Sequence, residues 1–147
     1  MKDYHFEIKQ EVLDELKRYT QSYGNEKCGI LMGSQIDNNH YRISKISPPC
    51  CKNQTRLGCI RDAEKANRFI QEDFHLSNHT RFYIGEWHTH PEPYPTPSDV
   101  DISSIKEIHM TASLVAPILF MIIVGIETIY ISVYNGIEFK KINPKVI

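Results

Sequence analysis

The sequence predicts an α/β fold of the α+β kind, a mixed twisted sheet flanked by helices, in one domain spanning residues 1–147. Three observations carry that prediction. Segments with helical periodicity are interleaved with short apolar or alternating runs, and a meander of strand-like segments closes the chain. The length of 147 residues suits one domain with one core. Apolar residues make up 41%, the level of an ordinary globular chain rather than a disordered one.

The elements follow in order. Val12, Leu13, Leu16 and Tyr19 recur at helical spacing between charged residues, which predicts an amphipathic helix over 10–19. Gly24 and Asn25 punctuate its end. The apolar run from Cys28 to Met32 reads as a buried strand. Tyr41 to Ile46 alternates like a strand and stops at Pro48-Pro49. Cys50 to Ile60 reads as a loop. Asp62 is positioned to cap a helix over 63–74, whose buried face carries Ala66, Phe69, Ile70 and Phe74. Phe82 to Trp87 is another strand. A loop with prolines at 91, 93, 95 and 97 follows, and Ser98 opens a third helix. Ile118–Val124, Thr128–Tyr134 and Ile137–Ile142 complete the strands, with Asn135-Gly136 as a hairpin signal between the last two.

Composition narrows the function classes. The net charge is −1, from 17 basic and 18 acidic residues, which offers nucleic acid or an anionic membrane no electrostatic handle. The N-terminus has no apolar core of signal-peptide type. The most apolar stretch, Leu114 to Ile126, is too short to span a bilayer and is interrupted by Pro117. These features place the protein in the cytoplasm, with no membrane and no nucleic acid as partner. The four cysteines, at 28, 50, 51 and 59, form no Cys-x-x-Cys pair and are expected reduced.

The chemistry concentrates in one stretch: His88-Thr89-His90-Pro91, six residues, then Ser98-Asp99-Val100-Asp101. Two histidines two apart on a strand share one face. Zinc takes imidazole and carboxylate ligands, and a catalytic site supplies three of them. With Ser98 as helix cap, Asp101 falls at the third helical position, facing back toward the strand end. Each piece alone has an ordinary explanation, since paired strand histidines are often surface residues and Ser-x-x-Asp is a common helix cap. Five fixed residues at these spacings arise by chance in such a length on the order of 10⁻⁵.

This stretch resembles the JAMM motif of the MPN+ (JAB-domain) metallopeptidases, whose fold is cytidine-deaminase-like. The motif is specific, while element order resembles the family over nearly the whole chain. The wording GEWHTHPEPYPTPS is similar to the prokaryotic branch, in particular to stand-alone JAB deconjugases of bacterial antiphage (CBASS) and ubiquitin-like operons. The resemblance implies one zinc ion per chain held by His88, His90 and Asp101. It also implies hydrolysis of a peptide or isopeptide bond behind the extended C-terminal tail of a ubiquitin-like or conjugated protein. The family requires an upstream glutamate, and Glu26 in Asn25-Glu26-Lys27-Cys28-Gly29 matches it. By resemblance Glu26 is the general base and acid, and the Ser98 hydroxyl steadies the oxyanion.

Several rivals stand beside this reading. Strand alternation alone puts Glu86 on the same face as His88 and His90, so only the resemblance ranks it below Glu26; as a neighbour of the site it is a candidate for orienting a ligand imidazole. Asp99 is explained by the helix dipole. Trp87 is expected to point into the core. His75 and His79, four apart near a helix end, form a weak second metal candidate with Cys50, Cys51 and Cys59 as helpers. Cys28 is a candidate nucleophile set back by its apolar surroundings. A deaminase would need His-x-Glu and Pro-Cys-x-x-Cys, and neither occurs. Two further functions compete with deconjugation: a non-catalytic MPN scaffold, and a peptidase of a sulfur-carrier precursor or of phage-tail or cell-wall peptides.

Overall fold

The computed structural model describes all 147 residues, and its strands and helices come in the mixed order the patterning implies. Strand β1 (His5–Ile8) leads into helix α1 (Gln10–Lys17), then β2 (Cys28–Asp37) and β3 (His40–Ile46). A hairpin of β4 (Cys51–Thr55) and β5 (Gly58–Arg61) precedes α2 (Ala63–Leu76). Strand β6 (Phe82–Thr89), helix α3 (Asp99–Thr111), β7 (Leu119–Val124), β8 (Ile129–Tyr134), β9 (Phe139–Lys141) and β10 (Lys145–Val146) follow.

Eight strands form one sheet in the order β10-β1-β3-β2-β6-β7-β8-β9, and β4 with β5 forms a separate pair. The large sheet is mixed. β2 runs antiparallel to β3 and β6, whereas β6 and β7 are parallel, as are β1 and β3. A parallel neighbour cannot be reached by a tight turn, so α3 is the crossover between β6 and β7.

Alternation along the central strands divides the core between the two faces. On one face Val12 and Leu16 of α1 pack in a cluster with Trp87, Phe120, Ile122 and Val124. On the other, Ala66 of α2 meets Ile30 and Met32, and Ile105 of α3 meets Leu119, Met121 and Ile123. Trp87 is fully buried and stacks on Tyr19 at 5.1 Å, as its core assignment requires. Its ring needs Gly29: a Cβ there would lie 2.4 Å from Trp87 Nε1. Asp73 of α2 is buried and bonded by Arg81 (2.7 and 3.0 Å) and Lys45 (2.9 Å), which ties the helix to the sheet.

Asp62 caps α2 by accepting from the Lys65 N–H, and Ser98 caps α3. Other expectations need correction. Residues 50–60 are not a loop but mostly a hairpin, β4 and β5, whose polar sequence (KNQTRLG) hides it because nearly every side chain is exposed or half-exposed. β1, paired between β10 and β3, and the edge strand β10 are too short to register as runs. Asn135 is not in the centre of the last hairpin turn. It bonds across to Glu138, and its Oδ1 accepts from Ile137 and Glu138 N–H, while Gly136 takes the positive φ of 93°. No helix is long and apolar enough to cross a membrane.

Candidate metal centre

In an open α/β sheet, side chains converge where a parallel strand ends and its crossover helix begins. Here that place is the end of β6 and the start of α3. His88 lies in β6, opposite Cys28 of β2. His90 lies just beyond the strand, yet its N–H still donates to the Val124 carbonyl at 3.0 Å, so the backbone stays in register. Asp101 sits in the first turn of α3. Ser98 Oγ accepts from the Asp101 N–H at 3.1 Å, and Asp101 Oδ2 accepts from the Ser98 N–H at 2.8 Å. This reciprocal cap fixes the carboxylate toward the strand.

The three side chains meet in a triangle. His88 Nε2 and His90 Nε2 are 3.2 Å apart, and each lies 3.2 Å from Asp101 Oδ2. Zinc bonds of about 2.0–2.2 Å at tetrahedral angles space their donor atoms by roughly 3.3–3.5 Å. The donor set and its edges therefore fit a zinc ion. Both imidazoles are nearly buried. Burial opposes ionisation of Asp101, but hydrogen bonds from His88 and His90 outweigh it and hold the carboxyl well below its usual range. The hydrogen bond with Asp101 likewise raises His90.

Glu26 is brought to the same place from a distant part of the chain. Its carboxylate and the two imidazoles have ligating atoms within 4.8 Å of one another. It lies not on a strand but in the segment entering β2, and burial raises its pKa despite the pull of His88 and His90. That segment is pinned by Thr89, the residue between the histidines. Thr89 Oγ1 accepts from the Lys27 N–H at 3.0 Å and donates to Gln21 Oε1 at 2.9 Å. The Thr89 N–H donates to the Lys27 carbonyl at 2.9 Å. Gln21, fully buried, in turn donates to the carbonyls of Gly24 and Arg56. Thr89 and Gln21 escaped the sequence reading, since a lone Gln after a helix carries no signal.

Glu86 shares the face of the histidines but does not orient one. Its oxygens are taken by Arg61 (3.1 Å) and the Tyr83 hydroxyl (2.9 Å), and burial pushes its carboxyl up to about 7. Glu92 does what was expected of Glu86: its Oε1 lies 2.8 Å from His90 Nδ1. A carboxylate on the far nitrogen fixes the ring and its tautomer. The signal was present in His90-Pro91-Glu92, a carboxylate two residues after a ligand-type histidine.

The other candidates separate from the centre. Asp99 is an exposed first-turn residue. His79 stacks on Phe74 and approaches His75 to 3.4 Å, with no third donor gathering there. Cys28 is half-buried, and hydrogen bonding to Cys51 together with burial pushes its thiol up, away from the thiolate form that a nucleophile needs. The centre opens into a cleft of about 850 Å³, walled on one side by the β4–β5 hairpin and on the other by α3.

A family profile described as prokaryotic homologs of the JAB domain matches residues 9–136. The chain belongs to the prokaryotic JAB-domain family. Among its relatives, an Escherichia coli (strain TW11681) protein named "CD-NTase/cGAS isopeptidase" is 33% identical over 149 residues, covering 99% of this chain and 92% of that one. A Vibrio cholerae serotype O1 protein of the same name is 36% identical over 78 residues, covering 52% and 49%. The solution structure of protein DSY2949 from Desulfitobacterium hafniense superposes with a TM-score of 0.68 over 97% of this chain and 91% of its own, at 17% identity, a likeness of fold alone. The resemblance seen in the motif, that of a prokaryotic JAB domain, thus holds across the chain, and so does the mixed sheet flanked by helices.

Proposed function

We propose that this JAB domain is a zinc-dependent isopeptidase of bacterial antiphage (CBASS-type) systems. It cleaves the bond behind the C-terminal tail of a ubiquitin-like or conjugated protein, and its substrate is of the class its relatives' names point to, a conjugate of a CD-NTase. The observation that carries this reading is the 3.2 Å triangle of His88, His90 and Asp101 with the buried Glu26 beside it. His88, His90 and Asp101 would hold the zinc ion, which would supply Lewis acidity toward an acyl carbonyl and toward water near neutral pH.

The chain's own groups do the rest. Glu26, whose pKa is raised by burial, takes a proton from the attacking water and returns it to the departing amine. Ser98 Oγ spends an acceptor on the Asp101 N–H, so its hydroxyl proton is left to donate to the carbonyl oxygen as charge gathers there. Glu92 keeps the His90 ring turned toward the centre. The tail lies along β5, which pairs only with β4 and so keeps one edge for strand addition. Leu57, Ile60 and Val100, exposed apolar residues lining the cleft, provide its side-chain contacts.

Glu26→Gln tests the assignment. The variant is expected to bind one zinc at the His/Asp centre like the wild type while hydrolysis of a ubiquitin-like fusion falls by on the order of 10³-fold or more. Retained hydrolysis in Glu26→Gln, with loss in Glu86→Gln, would move the base to Glu86.

A further inference from the structure

Beside the centre, and using none of its residues, three cysteines converge from three strands. Cys28 opens β2, Cys51 opens β4 and Cys59 lies in β5. Their sulfur atoms all lie within 4.8 Å of one another, and those of Cys28 and Cys59 are 2.8 Å apart. Cys51 Sγ accepts from the Cys28 N–H at 2.8 Å. A backbone N–H aimed at sulfur is the arrangement that supports a thiolate ligand.

We propose that Cys28, Cys51 and Cys59 form a second metal site that takes a thiophilic divalent cation of the zinc class and clamps the β4–β5 hairpin to the head of β2. Metal–sulfur bonds of about 2.3 Å at tetrahedral angles space sulfurs by roughly 3.8 Å; all three sulfurs lie within 4.8 Å of one another, and the Cys28–Cys59 pair, at 2.8 Å, would open by about 1 Å to take the ion. The coordinated thiols lose their protons to solvent, and three thiolates leave one position for water from the cleft, which Cys28 and Cys59 line. The hairpin also needs such a clamp. A two-stranded hairpin alone is marginal in water, and β4 and β5 bury no residue outright. Its other attachments to the body are the Arg61–Glu86 ion pair at 3.1 Å and a few hydrogen bonds, among them Glu26 N–H to Thr55 O at 2.8 Å and Gln54 Nε2 to Glu26 O at 3.2 Å. The metal would therefore order the wall of the cleft that carries Leu57 and Ile60. The claim is independent of the hydrolytic reading, because it concerns a different donor set.

The test uses the full chain, reduced, stripped of metal and titrated with cobalt(II). Wild type is expected to take two equivalents, one of them with sulfur-to-cobalt charge-transfer absorption in the near ultraviolet. His88→Ala/His90→Ala should keep one equivalent and the whole sulfur band. Cys51→Ser/Cys59→Ser should keep one equivalent and lose the band. With zinc, amide exchange across residues 51–61 should slow at least tenfold in wild type and in the histidine variant, but not in the cysteine variant. Wild type that takes a single equivalent without a sulfur band overturns the proposal, even if a variant fails to fold. So does a sulfur band that survives the cysteine substitutions, or hairpin exchange unaffected by zinc.

Discussion

Thr89 is the residue on which the joint placement of the candidate ligands His88 and His90 and of Glu26 depends, and Thr89→Val isolates its hydroxyl while keeping its shape and β-branching. In the wild type that hydroxyl serves the Lys27 N–H at 3.0 Å and Gln21 Oε1 at 2.9 Å, and Thr89 and Gln21 are both fully buried. Valine leaves two polar groups without partners. Each such loss costs about 1–3 kcal/mol, so the pair removes roughly 2–6 kcal/mol of stability. For a domain of this size about 1 kcal/mol moves Tm by roughly 2–4 °C, which predicts a fall of about 4–24 °C. Function should suffer beyond stability. The segment 24–27 carrying Glu26 loses the side-chain half of its pin and keeps only backbone bonds such as Thr89 N–H to the Lys27 carbonyl, whereas His88 and His90 remain held by the backbone of β6. Displacement of a reacting group by about 1 Å costs on the order of 10²-fold. Thermal melts, metal content and turnover of a ubiquitin-like fusion, measured well below Tm, read these effects separately. Thr89→Ser, which keeps the hydroxyl, should retain most activity. Wild-type Tm and turnover in Thr89→Val would refute the pinning argument, as would equal loss in Thr89→Ser.

Glu92→Gln should weaken metal affinity by about 10–100-fold without unfolding the chain, read by competition with a chelator; an unchanged affinity would remove Glu92 from the centre. Asp73→Asn should cost about 2–4 kcal/mol at pH 7 in urea unfolding, because the buried carboxylate answers both Arg81 and Lys45. Burial works to raise the Asp73 pKa, but the bonds from Arg81 and Lys45 outweigh it, so the folded-state value is depressed. Its stabilisation is thus present above about pH 4 and fades as pH falls through the folded-state value, and the variant's deficit should shrink toward zero at low pH. Gly29→Ala should cost about 1–3 kcal/mol, since the added Cβ meets Trp87 Nε1 at 2.4 Å and Ser47 Oγ at 2.7 Å; a neutral melt would show that the indole can move aside.

The parts of the fold that were legible in the sequence are those where burial writes a period. α2 declared itself through Ala66, Phe69, Ile70 and its Asp62 cap, and β7 through an unbroken apolar run buried at every position. The parts that were not legible are held by contacts rather than pattern. The β4–β5 hairpin is mostly polar and nowhere fully buried, and its order comes from contacts with distant parts of the chain, among them thiols and backbone bonds to residues more than twenty positions away. The same distinction runs through the centre. His88, His90 and Asp101 are close in sequence, so their spacing could be read. Glu26 reaches them only because β2 pairs with β6 in a register that sets Cys28 against His88, and spacing carries no trace of that pairing. Glu86 shows the limit of alternation: it has the expected face, yet Arg61 and Tyr83, one of them from the unread hairpin, claim its oxygens.

Asp101 Oδ2 has two duties, and they bind the candidate metal centre to the architecture. The same oxygen accepts the Ser98 N–H that closes the start of α3 and stands 3.2 Å from both imidazoles. α3 is also the crossover that makes β6 and β7 parallel, so the position of its first turn is set by the packing of Ile105 on Leu119, Met121 and Ile123. The centre is therefore not an addition to a finished scaffold. Capping the helix, crossing over the sheet and presenting the carboxylate are one local structure, which gives the ligand triangle its rigidity without dedicated supporting elements. Removing a metal should accordingly loosen the start of α3, and anything that shifts α3 along β7 should alter the triangle before it alters the core.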